Sequence, residues 1–228
     1  MLDKTISANI ASFGLDNFKI WVYYFIGSSI IIASRQKMSQ DLHPLEEEYG
    51  LTKEELLDAI NRRFRAKVTL EGAVAEVHLG KQIKALYEKG AITKFEEHDL
   101  DAYPDYSIWV PTKPNVKFRI ECKNVRDARE AYRKSGEITA YKVETQKTRT
   151  SKSDRSSRFY SYGQFEILAV CLGKKTHNWK QFLFIQSKDL GRHPDYKNKI
   201  AVMHQVPLPG SDIKPPWYIS LEDLIKSL

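Results

Sequence analysis

Two acidic residues and one lysine are spaced in this sequence so that together they could hydrolyse a phosphate ester. Asp105 precedes the apolar run Tyr106–Val110, and Glu121 and Lys123 stand at alternate positions near the end of the next run, Val116–Lys123. Paired carboxylates bind a hard divalent cation, which acidifies a bound water and polarises a phosphoryl oxygen. An ammonium group beside them can hold or help deprotonate the attacking water and can stabilise the charge that develops at phosphorus. These three residues are therefore the candidate catalytic group.

The alternation of the two apolar runs predicts how these side chains come together. The runs flank a turn rich in Pro and Asn, which predicts a β-hairpin. One register matches apolar residues along the hairpin, with the pairs Val110–Val116, Ile108–Phe118 and Tyr106–Ile120. In this register Asp105 lies directly opposite Glu121 on the other face, with Cβ atoms about 5 Å apart. A shift by one residue would put charged side chains on the apolar face, so the apolar pattern selects this register.

Magnesium is the cation expected between these acids, with manganese able to substitute for it. Oxygen ligands suit both ions, which keep several waters and can bind phosphate oxygens. A third acid, Glu76, falls on a predicted helix among apolar residues, where a carboxylate costs stability unless something pairs with it. Its partner is either the metal or a buried Arg or Lys. Because 29% of the chain is charged, the same spacing also arises by chance on a solvated hairpin face.

A basic segment that follows the hairpin favours a nucleic-acid-binding surface. From Lys123 to Arg158 there are eleven Lys and Arg against five Asp and Glu, a balance of +6 out of the net +7 of the chain. Neutralising phosphates releases condensed counterions, which drives association with nucleic acid. The residues expected to contact DNA are Gln146, Lys147, Arg149, Lys152, Arg158 and Tyr160. The alternatives are a solvated lysine-rich loop, or a loop that Arg158 and Tyr160 only brace against the sheet.

Three short motifs resemble the PD-(D/E)xK nuclease superfamily, which has the restriction-endonuclease-like fold: Pro104-Asp105, Glu121-Cys122-Lys123 and an upstream helical Glu76. The resemblance covers roughly Leu70 to Gln186. It implies that Asp105 and Glu121 bind magnesium and that Cys122 contributes a backbone carbonyl to the metal. It also implies that Glu76 completes the metal shell and that Lys123 assists the water. The segment from Gln146 through Phe165 resembles the stretch after the lysine in some restriction and homing endonucleases.

The elements that must position these residues follow from periodicity and end signals. Helices are predicted from Leu51 to about Arg63, from Glu71 to Glu88 before Gly90, and from Ser220 to Leu228. Strands are predicted at Ala91–Phe95, Tyr106–Val110, Val116–Lys123, Phe165–Leu172 and Gln181–Gln186. This order favours an α/β or α+β fold. The resemblance implies that this fold is a restriction-endonuclease-like core, with a central mixed β-sheet of about five strands flanked by helices.

Composition is that of an ordinary globular protein, with 42% hydrophobic residues among 228. Cys122 and Cys171 are too few for a disulfide framework or a structural zinc site, which favours a reducing, cytoplasmic setting.

The N-terminal residues form a segment of different composition. From Ile20 to Ser34, fifteen residues carry no charge. That is shorter than the ~20 residues of a membrane-spanning helix, and Asp3 and Asp16 do not suit a secretory leader. Residues 1–37 are predicted to be a packing or dimerisation element. The alternatives are a membrane contact, or a translation start at Met38 that would leave these residues outside the native protein. Residues 38–228 are predicted to be the PD-(D/E)xK nuclease domain.

The resemblance and the basic segment together predict a magnesium-dependent endonuclease that hydrolyses DNA phosphodiester bonds. A restriction-type or mobile-element enzyme is favoured, without a small-molecule cofactor. A homodimer is expected because symmetric double-strand cleavage needs two sites. Three alternatives stay open: a structure-specific or RNA-cleaving nuclease with the same site, a nucleic-acid-binding module with an inactive site, and a membrane-associated protein. The last depends on residues 20–34 alone.

Overall fold

The structure is a computed structural model that describes residues 11–15, 18–22, 42–100, 103–127, 129–147, 151 and 153–228. The chain divides into two units, Met1–Arg62 and Arg63–Leu228. The boundary predicted after residue 37 stays a prediction, because residues 23–41 lie outside the described part of the chain.

Among its described residues, the first unit contains a short hairpin and two helices. Strands β1 (Ala11–Leu15) and β2 (Phe18–Val22) pair antiparallel, and helices α1 (Pro44–Tyr49) and α2 (Lys53–Asn61) follow. A capping box begins α2, because Thr52 Oγ1 accepts from the Glu55 backbone N–H and the Glu55 carboxylate accepts from the Thr52 N–H. The predicted helix at this position is confirmed to within two residues.

Most of the uncharged N-terminal run lies outside the described residues, so its predicted packing role is neither confirmed nor contradicted. Within the described ranges, every helix is too short or too polar to cross a membrane.

The second unit contains two β-sheets and three helices among its described residues. The helices are α3 (Phe64–Glu88), α4 (Gly173–Thr176) and α5 (Leu221–Lys226). The strands are β3 (Lys94–Glu97), β4 (Tyr106–Val110), β5 (Lys113–Asn124), β6 (Ala131–Lys134), β7 (Glu137–Glu144), β8 (Ile167–Cys171), β9 (Phe182–Gln186), β10 (Met203–Val206) and β11 (Trp217–Tyr218). The larger sheet has the order β11-β9-β8-β5-β4-β3, and the smaller one has the order β10-β7-β6. Only β5 and β8 pair parallel, so the predicted mixed α/β fold is confirmed.

The two faces of the six-stranded sheet are covered differently. Because strand side chains alternate, Phe118, Ile120 and Cys122 of β5 share one face, and they pack in one apolar cluster with α3 and α5. A second cluster joins Leu168 and Val170 of β8 to residues of β7 and β10. Helices therefore cover one face and the smaller sheet covers the other, whereas helices were expected to flank the sheet. The smaller sheet was not predicted because β6 (AYRK) does not alternate apolar with polar residues, and both β6 and β7 lie inside the basic segment.

The register of the central hairpin agrees with the prediction for two of its three apolar pairs. Tyr106 pairs with Ile120 and Ile108 pairs with Phe118, as the apolar matching requires. The predicted pair of Val110 with Val116 is wrong, because Val110 lies opposite Lys113. The strands join through a turn of only two residues, so a bulge after Ile108 takes up the extra residues of β5.

Helix α3 ends where the glycine signal places its end and begins earlier than predicted. Gly90 has φ 76°, the left-handed conformation that stops a helix. The helix begins at Phe64, seven residues before the predicted start at Glu71. Its core-facing residues are Ala75, Leu79, Ile83 and Leu86, all in its C-terminal two thirds. The first turns bury no residue, so core periodicity does not identify them.

Candidate active site

A cleft of about 650 Å³ lies between the N-terminal half of α3 and the C-terminal end of β5. Six of the residues predicted for the site line this cleft: Glu76, Cys122, Lys123, Gln146, Lys147 and Arg158. Two further residues predicted to bind DNA, Arg149 and Lys152, lie outside the described residues.

Asp105 is fixed beside Glu121 by a hydrogen bond across the hairpin. It immediately precedes β4, and its Oδ2 accepts a hydrogen bond of 2.6 Å from the backbone N–H of Cys122. Burial raises the pKa of Asp105 to about 7, and the neighbouring carboxylate of Glu121 adds to this rise. Two buried carboxylates this close repel each other when both are ionised, so the pair is stable only with a bound proton or a nearby cation. The predicted juxtaposition of Asp105 and Glu121 is therefore present.

Glu121 is almost completely buried, at 4% exposure, and two donors hold it in place. The ammonium of Lys123 and the hydroxyl of Tyr160 both donate to Oε1, the hydroxyl at 2.6 Å. Such contacts are what allow a carboxylate to remain inside a protein. Tyr160 was predicted from the sequence to contact DNA, whereas in the structure its hydroxyl donates to Glu121.

The charge state of Lys123 decides between its two predicted roles. Burial works against a charged Lys123, but Glu121, Tyr160 and Asp105 together outweigh burial and raise the pKa of Lys123. Its side chain therefore stays an ammonium at neutral pH. A group that already carries its proton cannot accept one from water, so Lys123 is suited to charge stabilisation and not to deprotonating the water.

Glu76 reaches the same cleft from the helix that covers the sheet. Close packing brings α3 near β4, because a Cβ at Gly80 would lie 2.5 Å from the hydroxyl of Tyr106. That hydroxyl donates to the backbone carbonyl of Glu76 at 3.0 Å. Burial raises the pKa of Glu76, and the nearby Lys123 partly offsets this rise. Among the described residues no Arg or Lys forms an ion pair with Glu76, but Lys123 is near enough for its charge to act on Glu76, so both predicted partners stay predictions.

Several carboxylate oxygens of the site are free to bind a magnesium ion. Within the described part of the chain, Oδ1 of Asp105, Oε2 of Glu121 and the carboxylate of Glu76 accept no hydrogen bond. Carboxylate oxygens of this kind are the ligands that magnesium prefers. In the same residues, however, no group of three or more His, Cys, Asp or Glu side chains is close enough to hold a metal together. The site thus fits a magnesium held by Asp105 and Glu121, without Glu76 in the same group.

Cys122 can offer such an ion only its backbone. Its side chain lies in the apolar cluster beneath α3, and burial raises the pKa of the thiol well above its usual value. The thiol therefore stays neutral and does not act as a thiolate ligand. The metal-binding role that the resemblance implies for the backbone carbonyl of Cys122 stays a prediction.

A short ladder presents basic side chains to the cleft. Gln146 forms an antiparallel bridge with Phe159, and the backbone N–H of Lys147 donates to the carbonyl of Arg158 at 2.9 Å. The Lys147 ammonium lies 5.4 Å from the centre of the Tyr160 ring. Within the described residues neither Lys147 nor Arg158 forms an ion pair, so both are suited to contact phosphate.

Some residues of the cleft carry no signal in the sequence. Lys174 lines it and bridges Glu71 at 2.9 Å and Asp127 at 3.1 Å, although these residues are far apart in the chain. The amide of Asn124 donates to the carbonyl of Glu71, and its Oδ1 is buried without a partner within the described residues. Long-range ion pairs of this kind follow from the fold and not from local spacing.

Fold and site together define a mixed α/β protein whose central sheet carries a buried Asp–Glu–Lys cluster beside a partly cationic cleft. In three comparisons with known proteins, no protein family, no curated protein and no solved structure matches the chain.

Proposed function

We propose that this protein is a magnesium-dependent nuclease of the PD-(D/E)xK type that hydrolyses DNA phosphodiester bonds. One observation carries the proposal: the Asp105 carboxylate accepts from the Cys122 N–H next to Glu121, burial and the charge of Glu121 raise its pKa, and the ammonium of Lys123 donates to Glu121. A purely structural ion pair would not need a second buried carboxylate with a raised pKa. The central mixed sheet also supports the restriction-endonuclease-like core that the motifs imply.

The residues of the cleft supply the binding steps. Lys147 and Arg158 contact phosphates on either side of the scissile bond, and these contacts position the backbone without reading sequence. Asp105 and Glu121 would hold the magnesium, and the resemblance implies that the backbone carbonyl of Cys122 would be a further ligand. When bound, the metal supplies Lewis acidity and makes water a better nucleophile.

The remaining groups stabilise the reaction. Water attacks phosphorus in line with the leaving 3′ oxygen, and the product carries a 5′-phosphate. The Lys123 ammonium neutralises charge that develops on the phosphoryl oxygens. The Tyr160 hydroxyl donates to Oε1 of Glu121 and holds the carboxylate in place, which would leave Oε2 for the metal. Cleavage of both strands of a duplex would need two copies of this site.

A nicking assay tests the proposal. Supercoiled plasmid incubated with the protein is expected to become nicked in magnesium, and the reaction should stop when EDTA removes the metal. Calcium is the matched control, because it occupies oxygen sites with longer and less regular coordination than magnesium. The new ends should accept a ligase-catalysed join directly, since they carry a 5′-phosphate. Nicking that continues in EDTA, or no nicking with magnesium or manganese, would contradict the proposal.

A further inference from the structure

The cleft has one apolar wall, formed by the first turns of α3. Phe64 and Val68 line it at 73% and 38% exposure. Phe64 and Val68 lie on the same face of α3 as Ala75 and Leu79, which are buried in the core, because residues three and four positions apart share a helix face. The first turns of α3 bury no residue, and their apolar side chains Phe64 and Val68 line the cleft instead. An exposed aromatic ring lining a cleft is typical of a binding surface.

The opposite wall is cationic. Lys123, Lys147 and Arg158 line it together with Arg126 and Lys174. Arg126 forms ion pairs with Glu130 and Glu144. Lys174 forms ion pairs with Glu71 and Asp127. Glu121 holds Lys123 in the same way, so among the described residues of this wall the cations without an acidic partner are Lys147 and Arg158.

Between the two walls the cleft is open. A Cβ placed on Gly72 would meet no atom within 4 Å, so this helix position leaves space and no neighbour requires a glycine there. A cleft of about 650 Å³ is in the range of sites that enclose a small ligand, on the order of one or two nucleotides.

We infer that this cleft binds single-stranded nucleic acid, with unpaired bases against Phe64 and Val68 and the phosphate backbone against Lys147 and Arg158. A closed duplex presents phosphates outward and keeps the flat faces of its bases stacked inside. Only an unpaired strand offers apolar base faces and phosphates at once, which is the combination that these two walls match. Cleavage of such a strand rests on the proposed nuclease function, but its binding does not.

Fluorescence anisotropy in EDTA measures binding without cleavage. The probes are a labelled DNA 12-mer, the same strand annealed to its complement, and an RNA 12-mer of the same sequence. The single strands are expected to bind at least about tenfold more tightly than the duplex at the same salt concentration. Equal binding of DNA and RNA would support the inference, because base stacking does not depend on the sugar.

Two variants locate the site of binding. Phe64→Ala is expected to weaken single-strand binding roughly fivefold to a hundredfold, the range of base–aromatic stacking. Val77→Ala is the matched control, because Val77 is 52% exposed on the same helix and does not line the cleft. Gly72→Leu should keep the helix, since leucine has the better helix propensity, and should block binding by filling the cleft.

The outcomes separate this inference from the proposed function. Duplex bound as tightly as single strand, or equal effects of Phe64→Ala and Val77→Ala, would overturn the inference. Gly72→Leu that is folded and binds like the wild type would do the same. If single strands bind as expected and no probe is cut in magnesium, the inference stands and the nuclease proposal fails. If duplex DNA is cut in magnesium without a single-strand preference, the reverse holds.

Discussion

Glu121→Gln is expected to lower the magnesium-dependent cleavage rate at least about a thousandfold while the protein stays folded. The amide keeps the shape of the side chain and can still accept from Lys123 and Tyr160. It loses the negative charge that attracts a hard cation, and it leaves Asp105 as the one carboxylate of the pair. The measurement is the single-turnover nicking rate of supercoiled plasmid, with circular dichroism to establish folding.

The control for this substitution is Glu144→Gln. Glu144 also lines the cleft, but its carboxylate is bound by Arg126. Loss of the Glu144 carboxylate should change the nicking rate by less than about tenfold, because this carboxylate belongs to a structural ion pair and not to the pair of Asp105 and Glu121. If Glu121→Gln keeps a tenth or more of the wild-type rate, Glu121 does not serve the chemistry proposed here.

Lys123→Met is expected to lower the maximal cleavage rate about a hundredfold to a thousandfold, the usual effect of losing one group that stabilises developing charge. The raised pKa of Lys123 means that an ammonium is lost across the neutral range, so raising the pH should not restore the rate. Methionine has a similar length and keeps the packing of the side-chain stem. The measurement is the rate at saturating DNA in magnesium.

A second lysine of the cleft provides the comparison. Lys147→Met should raise the DNA concentration needed for half-maximal rate and leave the maximal rate within about tenfold, because Lys147 contacts phosphate away from the reacting atoms. The two lysines thus separate positioning from catalysis. Equal kinetic effects of both substitutions would contradict the separate roles given to Lys123 and Lys147.

Local patterns were sufficient to predict the parts of the site that lie on regular elements. Alternation placed Tyr106 opposite Ile120, and that pairing alone brings Asp105 beside Glu121. Capping and glycine signals located the start of α2 and the end of α3. These features depend on residues that are close together in the chain, so one amino-acid sequence is enough to predict them.

Features that depend on tertiary contacts were missed. The bulge after Ile108 shifts the far end of the hairpin, because turn geometry outweighs apolar matching there. The contact between Tyr160 and Glu121 joins residues 39 positions apart across an irregular segment. The first turns of α3 were missed because Phe64 and Val68 face a cleft and not the core.

The most direct test of the central claim is manganese binding, measured by electron paramagnetic resonance on the wild type, Asp105→Asn and Glu121→Gln. Asn can still accept the hydrogen bond from Cys122, so both substitutions remove charge while preserving the local contacts. The wild type is expected to bind the ion at the acid pair, and each single substitution should weaken that binding at least about tenfold. Equal manganese affinity in all three proteins, or none in the wild type, would show that Asp105 and Glu121 do not share a cation.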